Sequence, residues 1–285
     1  MVIAVASGKG GTGKTTLAVN LAYVASRPVK LVDCDVEEPN VHLFLRGNVV
    51  EKRTVSVSHP SVDEGKCSGC GECAEFCQFN ALAVVGKTVL VFQELCHSCG
   101  GCMMVCPEKA IDEEAHPVGI VEVTEVVDGL TVVQGTLSVG VAQPGPVIRA
   151  VKLAAKEREA PLTIIDCPPG TSCPVVESLK GADVALLVTE PTPFGLHDLS
   201  LAVETVRTLG IPFGVVINKA GTGFRKVQEF LERESIPLLG EIPENLSIAR
   251  TYAKGEIITD VLPGLRSVFE GILMKLIELG AKSAG

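Results

Sequence analysis

The sequence has no tryptophan, two tyrosines and only 4% aromatic residues. A core without large rings must be filled by short aliphatic side chains, and a hydrophobic fraction of 46% over 285 residues supplies enough of them for a sizeable globular interior. Positive charge is also scarce. Lysine and arginine total 25 against 34 aspartates and glutamates, a net charge of -9. That balance argues against a dedicated nucleic-acid binder, whose phosphate affinity rests on a Lys/Arg excess. No apolar run approaches the roughly 18 residues of a bilayer-crossing helix. The start, MVIAVASGKG, lacks the basic n-region, apolar h-region and cleavage site of a secretory leader. The expectation is a cytoplasmic protein that engages neither nucleic acid nor membrane.

Cysteine, by contrast, is abundant, with 11 residues. In a reducing compartment, cysteines at short regular spacing point to metal binding rather than to disulfides. Cys67, Cys70, Cys73 and Cys77 recur 29 residues later as Cys96, Cys99, Cys102 and Cys106, an internal repeat. The surrounding stretch is acidic as well. Residues 58–118 hold nine acidic side chains and three lysines, a net -6, which leaves -3 for the rest of the chain. Composition therefore divides the protein into a first part over 1–57, an inserted module over 58–118 and a continuation over 119–285.

Outside the insertion, near-continuous aliphatic runs predict strands at 2–6, 29–33, 162–166, 184–189 and 213–217, of the kind buried on both faces of a parallel sheet. Helical patterns separate them at 14–25, 147–158, 199–209, 226–234 and 265–279. The alternation predicts an α/β fold with a doubly wound, mainly parallel sheet, interrupted by a small α+β module.

Directly after the first predicted strand comes Gly8-Lys9-Gly10-Gly11-Thr12-Gly13-Lys14-Thr15-Thr16, which satisfies the phosphate-loop pattern in its required strand-to-helix context. The glycines let successive backbone N–H groups point at a β-phosphate, Lys14 reaches the β- and γ-phosphates, and the Thr15 hydroxyl ligates Mg2+. With its second lysine, Lys9, the loop resembles the deviant Walker A motif of the MinD/ParA and nitrogenase-iron-protein ATPases. That resemblance implies that Lys9 reaches across a dimer formed on ATP, with a second copy or a paralogue. Asp33 and Asp35 then match the first switch, Asp33 supporting the Mg2+ shell and Asp35 orienting the attacking water, a role that Glu37 or Glu38 could share. The run from Ile164 to Gly170 matches the second switch, with Asp166 contacting Mg2+ through water and Gly170 near the γ-phosphate. Asn218 stands where the family reads adenine, flanked by Pro191 and by the Ile242-Pro243-Glu244 turn.

The cysteine repeat is similar to the duplicated run of bacterial two-cluster ferredoxins. The resemblance implies two 4Fe-4S clusters with crossed ligands: Cys67, Cys70, Cys73 and Cys106 on one, and Cys96, Cys99, Cys102 and Cys77 on the other. The fourth cysteine of each run is expected at the start of a short helix. Zinc, which isolated C-x-x-C pairs would admit, is weighed against two complete four-cysteine runs. One departure is Cys77-Gln78, where the pattern has Cys-Pro; it removes no ligand. Cys34, Cys167 and Cys173 are left over, and Cys173 has an offset from Asp166 resembling a cluster-bridging cysteine in nitrogenase iron protein.

The whole pattern resembles MinD-superfamily ATPases with an inserted ferredoxin domain, related to the Mrp-type cluster carriers. It implies an ATPase that binds ATP or ADP with Mg2+ and uses a nucleotide-driven dimer rearrangement to gate electron transfer to a partner redox protein. The alternative is a factor for iron-sulfur or metallocofactor assembly. Intracellular positioning is disfavoured, because the 265–279 helix has no cationic face.

Overall fold

The computed structural model describes residues 1–26, 28–126, 129–221 and 223–283. Strands β1 (Val2–Ala6), β2 (Val29–Asp33), β8 (Leu162–Asp166) and β9 (Val184–Thr189) coincide with the predicted runs, and β10 (Phe213–Ala220) extends the fifth. Every residue of β2, β8 and β9 is buried, so both faces need apolar side chains and the sequence reads as continuous rather than alternating. With β11 (Leu238–Pro243) and β7 (Leu130–Leu137) they form the parallel order β11-β10-β9-β1-β8-β2-β7.

The pleat sorts successive side chains into two cores. Ile3 and Val5 of β1 face Leu17 and Leu21 of α1 (Lys14–Val24) and Phe269, Ile272 and Leu276 of α10 (Arg266–Ser283). Ala4 and Ala6 face the opposite layer, built from α4 (Gly145–Lys156), α5 (Cys173–Leu179), α6 (Pro193–Thr208) and α7 (Lys226–Arg233). Helix α6 begins earlier than the apolar periodicity predicts. The Thr192 hydroxyl accepts a hydrogen bond from the Gly195 N–H at 3.0 Å, and Pro193 at the first position needs no N–H partner.

Two long strands escaped the sequence reading. β3 (Asn48–Val62) and β6 (Ile111–Glu125) pair antiparallel from Asn48 opposite Glu125 to Val62 opposite Ile111. At about 3.4 Å per residue each spans roughly 50 Å. Only 119–125 of β6 also pairs with β7, so beyond Gly119 the two strands leave the sheet as a ribbon. A register shift between Val55 and Ser56, opposite Gly119 and Pro117, marks the departure, as a bulge bends and twists a ladder.

The segment 63–110 sits at the ribbon's tip. It contains a hairpin of β4 (Leu82–Val85) and β5 (Thr88–Val91) and two one-turn helices, α2 (Glu72–Phe76) and α3 (Gly101–Val105). The 29-residue sequence repeat is also a repeat of backbone conformation. Positive φ recurs at Gly69 and Ser98 (76° and 53°), Gly71 and Gly100 (86° and 70°), and Asn80 and Lys109 (52° and 49°). Cys77 and Cys106 end α2 and α3 rather than starting a helix as expected, because Gly71 and Gly100 in the left-handed region already begin each turn.

Candidate nucleotide and cysteine sites

The phosphate-loop residues curl over the start of α1 at the carboxyl end of β1, where an open sheet binds ligands. Gly11 and Gly13 adopt φ of 77° and 94°. A side chain at Gly13 would meet Asn218 Nδ2 at 2.3 Å, and one at Gly8 would meet the Asp198 carbonyl oxygen at 2.1 Å, so both positions require glycine. A cavity of about 410 Å3 opens beside the loop. Gly10, Gly11, Gly13, Lys14, Thr15 and Thr16 line one wall, and Asp35, Glu38, Asn218 and Pro243 line the rest, together with Ile248 and Tyr252 from α8 (Leu246–Ala253).

Several predicted residues stand outside that lining. Gly8 packs on α6, Thr12 is buried beneath the loop, and Asp166 lies below it with 1% exposure. Asn218 is engaged within the chain, its Nδ2 donating to the Thr12 carbonyl at 2.8 Å and its Oδ1 accepting from Lys219 N–H at 3.0 Å. The amide thus braces the phosphate loop, with one N–H and one lone pair left for a base edge. Among the three water-orienting candidates, Asp35 and Glu38 face the cavity and Glu37 does not line it.

Burial governs the carboxyl groups here. Neither oxygen of Asp166 makes a hydrogen bond of full geometry among the described residues, although the Thr15 hydroxyl lies near enough to act on its carboxyl. Burial raises Asp166 to about 7 against the opposing Thr15 hydroxyl and Lys14. Asp35 is raised to about 6, again by burial and against Lys14. Burial, then the neighbouring Asp166, also pushes Asp33 upward, although its oxygens accept backbone N–H bonds from Asp35, Asn40 and Val41 at 3.1 Å. Three crowded carboxyls next to Lys14 and Thr15, one without a hydrogen bond of full geometry, are the donor set that suits a hard cation such as Mg2+.

Sequence reasoning missed Glu190. It follows β9, and both Lys9 (3.3 Å) and Lys219 converge on its carboxylate, while Lys219 Nζ also donates to the Gly11 carbonyl at 3.3 Å. The two lysines hold Glu190 below the usual carboxylate range although burial opposes them. An acid at the carboxyl end of a buried strand, ahead of Pro191, was the signal available.

The eight repeat cysteines divide between two small cavities. Cys67, Cys70, Cys73 and Cys106 line one, and Cys77, Cys96, Cys99 and Cys102 line the other. Backbone N–H groups point at the sulfurs, Ala81 to Cys77 and Ala110 to Cys106 at 3.3 Å and Ser98 to Cys96 at 3.5 Å. Among the described residues, no group of three or more His, Cys, Asp or Glu is gathered for a single metal ion. Phe79 and His97 stack at 3.9 Å beside the second cavity. Gly101 has a packing role, since a side chain there would meet Phe76 at 2.3 Å. The remaining thiols differ. Burial pushes Cys34 up to about 12 and raises Cys167 well above the ordinary thiol range, which disfavours the thiolate at both, whereas Cys173 is exposed at the start of α5.

Among the described residues, no helix is long and apolar enough to cross a membrane. The family model for the CobQ/CobB/MinD/ParA nucleotide binding domain matches residues 3–258. An uncharacterized protein of Methanocaldococcus jannaschii is 31% identical over 260 residues, 90% of each chain. An iron-sulfur cluster carrier protein of Aquifex aeolicus is 27% identical, the match spanning 90% of this chain and 61% of that one. In structure, the septum site-determining protein MinD of Pyrococcus horikoshii, complexed with Mg-ADP, aligns at a TM-score of 0.57 and 19% identity over 96% of this chain and 94% of its own. Pyrococcus furiosus MinD aligns at 0.58 and 21% identity over 98% of each. The chain belongs to the CobQ/CobB/MinD/ParA nucleotide-binding family and is an ATPase of the MinD/ParA type.

Proposed function

We propose that this ATPase uses nucleotide-dependent dimer rearrangement to gate one-electron transfer from two 4Fe-4S clusters to a partner redox protein. The observation that carries the reading is the segregation of eight cysteines into two four-thiol cavities, each drawing its fourth cysteine from the other run. The corners of a cubane stand several ångströms apart, so its ligands need to surround a space rather than converge on a point, which favours clusters over a single zinc ion. Cys67, Cys70, Cys73 and Cys106 would hold one cluster, and Cys96, Cys99, Cys102 and Cys77 the other. When bound, each supplies reversible one-electron exchange. The Ala81, Ser98 and Ala110 N–H groups donate to the ligand sulfurs, and the acidic surroundings favour a low potential.

At the nucleotide, Gly10, Gly11 and Gly13 turn the backbone around the phosphates. Lys14 would neutralise the β- and γ-phosphate oxygens, and Thr15 would hold Mg2+, with Asp166 acting through water and Asp33 supporting the shell. Asp35 orients the attacking water. Asn218 and Pro243 flank the base, and Lys9 leaves Glu190 to reach the phosphates of the second protomer, a second copy or a paralogue. Gating requires that ATP and ADP bind two dimer arrangements with different affinity.

The test mixes reduced protein, freed of excess dithionite, with an oxidised viologen under anaerobic conditions and follows the colour of the viologen radical with Mg-ATP or Mg-ADP. Faster oxidation with ATP is expected; a rate indifferent to nucleotide would sink the gating role. Lys14→Ala should abolish hydrolysis while iron and sulfide per chain stay unchanged. A second reading, ATP-dependent cluster delivery, is favoured by the relatives named iron-sulfur cluster carrier proteins. It predicts loss of iron from this protein to an apo-ferredoxin acceptor.

A further inference from the structure

The two cysteine cavities are not equivalent in their relation to the ATPase body. The cavity of Cys67, Cys70, Cys73 and Cys106 meets the ribbon at Ile111, its outermost residue. The cavity of Cys77, Cys96, Cys99 and Cys102 includes Ser58, Pro60 and Glu113, further down the ribbon. It is also tied to the body. Gln143, in the loop between β7 and α4, donates through Nε2 to the Cys96 carbonyl at 3.1 Å.

The other end of that loop reaches the nucleotide site in a few residues. Asp35 lines the nucleotide cavity, and the next carbonyl, that of Val36, accepts from the Leu137 N–H at 2.8 Å. Ser138 N–H then donates to the carbonyl of Val118, at the bulge where the ribbon leaves the sheet, at 2.9 Å. The segment 137–143 therefore links the Asp35 strand end, the root of the ribbon and the Cys96 turn.

The seam it crosses is an open cleft of about 150 Å3, between His59 and His116 of the ribbon, Cys96 of the cysteine segment, and Gly140 and Gln143 of the body. His59 is 7% exposed and its Nδ1 has no hydrogen-bond partner, while its ring stacks on His116 at 4.7 Å. Because the cleft is open to solvent and the His59 Nδ1 is orphaned, the walls can shift without opening a void in a filled interior. Gly140, at φ 84°, gives the loop a backbone position that other residues adopt only under strain.

We infer that Gln143 is a positioning residue that transmits nucleotide state to the Cys77/Cys96/Cys99/Cys102 site, leaving the Cys67/Cys70/Cys73/Cys106 site outside that coupling. The inference rests on the proposed gating and assigns it to one of the two sites. Linkage makes the effect reciprocal. If exchanging ATP for ADP shifts the reduction equilibrium at that site by some factor, reduction must shift the ratio of the two nucleotide affinities by the same factor.

The experiment is hydrogen-deuterium exchange on the full-length protein with Mg-ATP or Mg-ADP, paired with nucleotide affinities for oxidised and dithionite-reduced protein. In the wild type, exchange in 138–144 and 93–99 should differ between nucleotides with 67–73 unchanged, and nucleotide affinity should differ between oxidised and reduced protein by about fivefold or more, the low end of typical coupling. Gln143→Leu and Gln143→Glu should keep the 138–144 response but lose that of 93–99, and the oxidised and reduced affinities should converge. Gln143→Lys, which retains a donor, should restore the response at least in part. Equal responses in 67–73 and 93–99, or a 93–99 response that survives both substitutions, would overturn the inference. Failure of the cluster assignment is separately visible, as fewer than about eight irons and sulfides per chain, and leaves the exchange result able to decide the role of Gln143.

Discussion

The ATPase body and the cysteine segment are held together by different physics. The body buries complete strands between two helical layers, with side chains such as Leu186, Ile164 and Phe269 wholly removed from water. The cysteine segment has a small core around Cys73, Leu82 and Ile111, and it leaves Phe76, Val85, Leu90, Leu95 and Met104 exposed. Apolar area removed from water is the main favourable term in folding, and a unit of about 50 residues removes too little of it. The body is stable through its own side chains. The cysteine segment depends on whatever its thiols bind, for which binding free energy becomes folding free energy.

The largest expected effect breaks this contrast at its weak side. Stripping metal anaerobically with a chelator, or replacing Cys70 and Cys99 by Ala together, should collapse exchange protection across 63–110 while the body's strands stay protected. Concerted loss in both regions would show that the two are one cooperative unit. A core truncation tests the strong side. Leu186→Ala, in a central strand with 0% exposure, should cost about 2–5 kcal/mol in denaturant melts. Leu90→Ala, on a hairpin and 45% exposed, should stay within about 0.5 kcal/mol while the metal remains bound.

A third prediction concerns the crowded carboxyls. Burial holds the Asp166 proton on the folded chain up to about pH 7, whereas the unfolded chain releases it near the ordinary aspartate value of 3.8. Between those values the folded state binds the extra proton, so nucleotide-free stability should fall as pH rises from about 4 to about 7 and level off above. Asp166→Asn should flatten that slope, raise the melting temperature at pH 8 by a few degrees and abolish ATP hydrolysis. A melting temperature that climbs from pH 4 to 7 to the same extent in both proteins would show that Asp166 is not kept protonated by burial.

The parts of the fold visible in the sequence are those with one dominant requirement. Val29–Asp33 and Leu162–Asp166 must be apolar on both faces, so their boundaries were legible to the residue. The phosphate loop needs glycine at fixed offsets, and the thiols recur at fixed spacing. The ribbon serves mixed requirements and was invisible. Glu51, Lys52 and Arg53 face solvent and make ion pairs with Arg158, Glu122 and Glu157, Val118 is buried at the bulge, and Pro60 and Pro117 interrupt the strand pattern. Short alternations such as Val55-Ser56-Val57-Ser58 and Val121-Glu122-Val123-Thr124 are present, but the register shift and the two prolines keep either from running the length of its strand.

Local sequence thus determined the elements whose chemistry is contained in a short window: the buried parallel strands, the phosphate loop and the two cysteine turns with their matching backbone twists. Tertiary structure alone decided which distant groups meet. It set Glu190 between Lys9 and Lys219, turned the Asn218 amide onto Thr12, buried Asp166 beneath the loop and joined Gln143 to Cys96. The physical reason is range. Backbone propensity and apolar periodicity act over a few residues, whereas the pairing of a charge or an amide depends on where the folded sheet brings its partner.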